Sequence, residues 1–360
     1  MSEQSFAVVG AAALMGEQLR AEDDVVVVVS GRRIAAVGPR ATTPIPEGAE
    51  VVEADGLLVL PGFIDAHVHI GFADPAEVVA RGVTCARDLG WPRDEMHRMI
   101  QLSRGRDYVG PKLLWAGPML TAPGGYPTRA AWAPAGTGHE VGSPDEARHA
   151  VDELTRGGVD WIKVALNPAV GPSLDHWSLR ALVDAAHGQE RRVTAHIHGL
   201  EELKKALDAG VDEMAHMLMS PEEIPRAVID RMVEAGMTVV PTLSVFFGAG
   251  RAIAVDNLAR FIDAGGRVVY GTDLGNEGPE PGIDAREIDG LVEAGMSPLD
   301  IVAAATIGAA RWLGLDDRGR IEEGFTADLV AVPRDALDDA TRLTDVRLVV
   351  REGNRVPTRA

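Results

Sequence analysis

The chain holds a single cysteine, Cys85, among 360 residues. That excludes an internal disulfide framework and fits a reducing compartment, so a cytoplasmic location is expected. Positive charge is also scarce: 35 Lys and Arg stand against 54 Asp and Glu, for a net charge of -19. No stretch is rich in Lys or Arg. Nucleic acid and anionic membrane both need cationic patches, so neither is an expected partner. Apolar runs long enough to span a bilayer are missing. The opening segment MSEQSFAVVGAAALMGEQ has no basic residues ahead of its apolar part and makes a poor signal peptide. Low-complexity tracts and internal repeats are lacking too.

What is present, 46% hydrophobic and 25% charged residues, describes a soluble globular protein. The length suits one large core with a smaller second domain. Residues 1–58 read as short strands and turns, in FAVVGAAAL, DVVVVVSGRRIAAVG and AEVVEADGLLVL. Residues 319–360 look alike, in GRIEEGFTADLVAVP and DVRLVVREGNRV. One small β domain, a β-sandwich assembled from both termini, is expected. Between them, over 59–318, candidate strands end near Ile70, Asp88, Thr121, Asn167, His198, Met219, Ser244 and Leu274. Helical periodicity fills the gaps, as in SPDEARHAVDELTRGG, SLRALVDAAHGQER and GLEELKKALDAG. The first and third of these carry helix-start signals. Eight strands alternating with helices predict an α/β fold of the TIM-type (β/α)8 class, although a doubly wound sheet alternates similarly. The Gly/Pro-rich stretch 117–144 reads as a long loop after the third strand, of a length that is usually functional or disordered.

The stretch LPGFIDAHVHI, residues 60–70, is an apolar run broken by two histidines and an aspartate. Side chains alternate across a strand, so His67 and His69 share one side near its far end. Two converging imidazoles make half of a metal site, or else a hydrogen-bonded core pair. Other strand ends carry ligand types as well: Lys163 in VDWIKVALN, His196 and His198 in RVTAHIHG, His216 in VDEMAHMLMS, and Asp273 in RVVYGTDLG. Each has an ordinary alternative. Lys163 could pair with a carboxylate, His216 could be a satisfied core histidine, and Asp273 could cap a helix. A buried lysine is nevertheless rare, because desolvating an ammonium is expensive. Functional groups drawn from several strand ends are the habit of barrel enzymes.

With these residues in view, the sequence resembles the amidohydrolase superfamily over nearly its whole length. PGFIDAHVHI matches that family's first-strand motif, GVTCARDLG its second strand, and GRIEEGFTADLVAV its return to the β domain. DWIKV, TAHIHG, AHM and GTDLG look like the prolidase and imidazolonepropionase-related branch. The resemblance implies two divalent metal ions. His67, His69 and Asp273 would bind the more buried one, and His196 and His216 the second. Lys163, carboxylated by carbon dioxide, would bridge them. Zinc suits this mixture of imidazole and oxygen best, with manganese or iron able to substitute.

The expected activity is hydrolysis of an amide or peptide C–N bond by a metal-bridging hydroxide, with Asp273 carrying the proton. A dipeptide, including Xaa-Pro, or an N-acyl amino acid is the expected substrate. A lactonase or esterase on the same site is the nearest alternative. A mononuclear deaminase comes next, although such relatives place a Glu where this chain has Gly199. A non-catalytic scaffold is the rival from another class, and it expects eroded ligands. Related prolidase-like members carry Gly-Gly-His in the third-strand loop, where this chain has Gly124-Gly125-Tyr126. A phenol from Tyr126 would replace the imidazole donor. Arg129 in the same loop is either a bidentate partner for a substrate carboxylate or an ordinary surface arginine. His198 shares a strand face with His196 and either touches substrate or supports the site. His139, His149, His176 and His187 read as structural or exposed, and Trp132 and Trp177 as core packing, with a pocket wall as the alternative. The expected partner is a small molecule; a homo-oligomer is compatible with the sequence, which does not specify one.

Overall fold

The computed structural model describes residues 5–105, 107–219 and 223–358. The N-terminal segment forms β1 (Ser5–Met15), β2 (Arg20–Ser30), β3 (Arg33–Pro39), β4 (Glu50–Glu53) and β5 (Leu57–Pro61). The middle of the chain supplies β6 (Phe63–Val68), β7 (Val83–Asp88), β8 (Lys112–Trp115), β9 (Met119–Thr121) and β10 (Gly138–Glu140). It continues with β11 (Ile162–Leu166), β12 (Val193–Ile197), β13 (Glu213–Ala215), β14 (Thr238–Val240) and β15 (Arg267–Val268). The C-terminal segment gives β16 (Leu329–Pro333), β17 (Leu348–Arg351) and β18 (Asn354–Val356).

Both ends of the chain build one eight-stranded sheet, ordered β18-β17-β16-β5-β1-β2-β3, with β4 pairing β1. The two termini meet where β16 runs antiparallel to β5, from Leu329 opposite Pro61 to Pro333 opposite Leu57. The expected boundary after residue 58 therefore falls inside β5. The unbroken valine run of β2 has a physical reason: both of its faces are covered. Val25, Val27 and Val29 join Phe6 and Val8 in one apolar cluster, while Val26 and Val28 join Ala7 and Val9 in another.

The remaining strands form two parallel sheets. One has the order β6-β7-β8, the other β10-β9-β11-β12-β13-β14-β15. Helices separate most of the successive strands, including Pro144–Arg156, His176–His187 and Leu200–Ala209. Their starts differ in part from the sequence expectation. Ser143 caps the first of these by accepting from the Glu146 amide, as its motif predicts. The second is capped by Asp175, which accepts from the Trp177 and Ser178 amides. The third has Gly199 at its cap with no side-chain bond. The 117–144 stretch is also more than a loop, since β9 and β10 pair within it.

Two seams position the functional residues. The amide of Asp160, just before β11, donates to the Trp115 carbonyl at 2.9 Å. At the other seam the chain beyond β15 runs beside β6. Ala66 donates to Tyr270 O at 3.0 Å, Asp273 to His67 O at 2.7 Å, and His69 to Leu274 O at 2.7 Å. β15 is therefore short by pairing with β14, and the chain beyond it is continued by these bonds to β6. No described helix is long and apolar enough to cross a membrane.

Candidate metal centre

β6 delivers His67 near its end and His69 just beyond it, with ring centroids 5.6 Å apart. The backbone bond from Asp273 N to His67 O sets the Asp273 carboxylate opposite both rings. Its Oδ1 lies 3.2 Å from His67 Nε2 and 3.3 Å from His69 Nε2. Its Oδ2 lies 3.6 Å from His216 Nδ1, on the residue that follows β13. His216 in turn sits 4.7 Å, centroid to centroid, from both His67 and His196. Lys163 on β11 completes the group. All six side chains line one cavity of about 150 Å³.

The donor set fits a divalent cation. One ligand atom each from His67, His69 and Asp273 fall within 4.8 Å of one another. Both ring nitrogens of His67, the Lys163 ammonium nitrogen and Asp273 Oδ1 are buried with no hydrogen-bond partner. A buried polar atom left unpaired costs roughly 1–3 kcal/mol. Several such atoms aimed at one space make a liability unless an ion satisfies them together.

Protonation favours the same reading. Burial, reinforced by neighbouring Lys163 and the other rings, holds His67, His196 and His216 well below the usual histidine range. Neutral imidazoles keep a lone pair for a metal. His69 is also pulled down by burial, but its contact with Asp273 outweighs this and raises it. Burial is the main force on Lys163, bringing it down to about 7. A substantial neutral-amine fraction at that value is a competent nucleophile toward carbon dioxide.

Backbone strain marks the same place. Asp273 (φ 60°), His216 (φ 68°) and Thr242 (φ 49°) all occupy the left-handed region that non-glycine residues avoid. All three follow strands; Asp273 and His216 line the cavity, and Thr242 reaches the His216 ring instead.

Supporting residues that the sequence did not single out fix the rings. Gly90 O lies 3.1 Å from His69 Nδ1, and Thr242 Oγ1 lies 2.9 Å from His216 Nδ1. The Asn167 carboxamide lies 3.1 Å from His196 Nε2. Asp88 accepts from the amides of Ile70 (2.9 Å) and Gly90 (3.1 Å), ordering the turns that follow β6 and β7. The aspartate inside LPGFIDAHVHI, Asp65, accepts from the amides of His67 and Thr272 and from the Thr272 hydroxyl. A carboxylate in an apolar run was the available signal for Asp65. Asn167 and Thr242 had none, because their role depends on neighbouring strands.

The residues expected to meet substrate divide. Tyr126 lines the cavity and stacks on His196 at 4.9 Å and 27°. Burial, and then the Asp273 charge, push its phenol up, so it stays a donor. His198 lines the cavity and is half-buried. Arg129 is exposed and is not among the lining residues; its guanidinium packs beside Gly124. The two tryptophans depart from core packing. Trp132 is half-buried, with its ring 5.7 Å from that of His69 and 6.0 Å from Tyr126 but outside the cavity lining, whereas Trp177 is 72% exposed. His149, His176 and His187 are exposed and His139 is half-buried, none of them lining the cavity.

Known proteins share this architecture. The chain is 30% identical to an uncharacterized protein of Mycobacterium tuberculosis, over 88% of this chain and 90% of that one. It is 28% identical to ochratoxinase of Aspergillus niger, covering 90% and 80% of the two chains. The crystal structure of a putative prolidase from Bifidobacterium longum superimposes with a TM-score of 0.84 at 27% identity, over 99% and 96% of the chains. The model of the amidohydrolase family matches residues 58–356. The chain belongs to the amidohydrolase family and is a hydrolase acting on carbon–nitrogen bonds.

Proposed function

We propose that this protein hydrolyses an amide-type bond of a small substrate, using two divalent metals held by His67, His69, Lys163, His196, His216 and Asp273. One observation carries the proposal: six side chains from five strand ends converge on one cavity with buried polar atoms left unpaired. Zinc fits the imidazole and oxygen donors best. Lys163 enters as a carbamate: its neutral amine attacks carbon dioxide and loses a proton, which turns an unpaired buried nitrogen into an anionic oxygen ligand. Divalent metal bound here lowers the pKa of water to about 7 and polarises a carbonyl oxygen.

The chain's own groups do the rest. Asp273 accepts the attacking water's proton and passes it to the leaving nitrogen, since an amine leaves poorly unless protonated. The Tyr126 phenol, fixed by stacking on His196, donates toward the substrate carbonyl. The parallel strands are read as a closed (β/α)8 barrel, a reading supported by the backbone bonds at both seams. In this reading 59–318 is the catalytic domain, and 1–58 with 319–360 form a β-sandwich. A cytoplasmic location rests on the lone buried Cys85.

Ester or lactone cleavage would use the same groups without needing the second proton transfer. Deamination is disfavoured by Gly199, which offers no carboxyl. Relatives named ochratoxinase and putative prolidase support the amide reading. The test is metal analysis of the purified protein together with a screen of dipeptides, N-acyl amino acids, their neutral amides and the corresponding esters and lactones. Turnover of esters alone would replace the amide reading.

A further inference from the structure

The wall of the cavity differs sharply from its floor. Beyond the six clustered groups it is lined by Ile197, Met217, Leu218, Met219, Val245 and Phe246. The remaining polar lining groups are a phenol (Tyr126), an imidazole (His198) and a carboxamide (Asn276), which suit a carbonyl or N–H. Among the described lining residues, Lys163 is the only ammonium and there is no guanidinium. Arg129 stands outside on the surface. Arg286, which touches the same wall, is committed: it donates to the carbonyls of Ser244 and Phe246 and stacks on Phe247 at 4.3 Å. Arg251 is paired with Glu293 at 2.5 Å.

An apolar approach matches this wall. Phe72, Met219 and Phe247 are 44%, 42% and 52% exposed; Met219 is itself part of the lining and Phe247 follows the lining residue Phe246. Phe72 packs beside Gly275, two residues after Asp273, and against Trp132. The chain's net charge of -19 adds a field that repels anions.

We infer that the substrate is uncharged beyond the scissile bond: a neutral, apolar amide whose far end carries no carboxylate. A carboxylate seated against this wall would lose its water and gain no cation, whereas a neutral group loses little. Recognition then comes from apolar contact plus hydrogen bonds to Tyr126, His198 and Asn276. The inference rests on the amide-hydrolysis reading and narrows it away from free dipeptides and N-acyl amino acids.

The experiment compares two compounds on the zinc-loaded full chain. Both have the same N-acyl amide and the same apolar side chain, one ending in a free carboxylate and the other in a primary carboxamide. The neutral member is expected to have a kcat/KM higher by roughly 10²-fold, the scale on which a site rejects a group it leaves unpaired. Met219→Arg, at an exposed lining position, should narrow the gap to within roughly tenfold by offering the carboxylate a bidentate partner. Equal or faster wild-type turnover of the carboxylate overturns the inference. If neither compound is cleaved, the amide reading fails. Titrating the same pair calorimetrically still decides the inference, which stands if the neutral member binds tighter and falls if the carboxylate does.

Discussion

Asp65 clasps Thr272 across the two strand ends that carry His67 and Asp273. Its Oδ2 accepts from the Thr272 hydroxyl at 2.7 Å, and its Oδ1 accepts from the Thr272 amide at 3.1 Å and the His67 amide at 3.0 Å. The carboxylate is buried and touches none of the clustered side chains through its own oxygens. It holds the backbone from which two of them project.

Asp65→Ala should therefore weaken metal retention by about 10- to 100-fold, the usual consequence of removing a group that orients ligands. Asp65→Asn should do far less, because its carbonyl oxygen can still accept both amides. Metal titration against a chelator of known affinity measures both. An Asp65→Ala protein with wild-type affinity would leave the clasp with a purely structural role.

The purified protein should hold about two divalent metals per chain, because the six groups exceed what a single four-coordinate ion uses. Chelation should abolish turnover, and zinc or manganese should restore it. Full activity with one metal per chain would favour a mononuclear site.

Asp273→Asn keeps a carbonyl oxygen where the carboxylate stood but removes the proton carrier. Much of the metal should stay, while turnover falls by about 10²- to 10⁴-fold, the contribution expected of a positioned acid–base group. Turnover within a small factor of wild type would place the proton with another residue.

Arg87 and Glu213 test stability rather than chemistry. Their ion pair, 2.6 Å long, exposes no side-chain surface, and the guanidinium lies 4.3 Å over the Trp161 ring. Glu213 also accepts from the Trp312 indole at 2.5 Å. Glu213→Gln strands the Arg87 charge in the interior and should cost about 3–5 kcal/mol. Replacing both together, as Arg87→Met with Glu213→Leu, should recover much of that loss. Chemical denaturation reads the difference; a loss of under about 1 kcal/mol for Glu213→Gln would mean water reaches the pair.

How far the sequence could be read follows from how local each signal is. His67 and His69 announced themselves because strand alternation puts both on one side, and Lys163 because an ammonium has no business in WIKVAL. The antiparallel meeting of β5 and β16 was foreseeable in outline from matching Val-rich ends, but its register needed Leu329 beside Pro61. The supporting contacts were out of reach. Thr242 meets His216, and Asn167 meets His196, only once neighbouring parallel strands are in register. Arg129 was open in the sequence between a substrate contact and an ordinary surface arginine, and its side chain lies exposed and outside the cavity lining. The 117–144 stretch lacked periodicity, so the short pairing of β9 with β10 left no trace in it.

Lys163 is the residue whose surroundings demand modification most. Its nitrogen is fully buried and unpartnered, faces the Asp273 charge and three neutral imidazoles, and is pulled down to about 7 by burial. An unmodified ammonium there would add repulsion to desolvation once metal enters. A carbamate reverses the sign of that interaction. Electron density should show the added carboxyl atoms beyond Nζ, and ¹³C-labelled bicarbonate should give a carbamate carbonyl resonance in the metal-loaded protein. Lys163→Ala should lose metal and turnover together, with partial return on adding a short carboxylic acid that fills the vacated space with oxygens. Lys163→Arg should fail equally and resist that rescue, because a guanidinium stays charged, cannot be carboxylated and still occupies the space. An arginine variant that kept two metals and normal turnover would remove the carbamate from the mechanism.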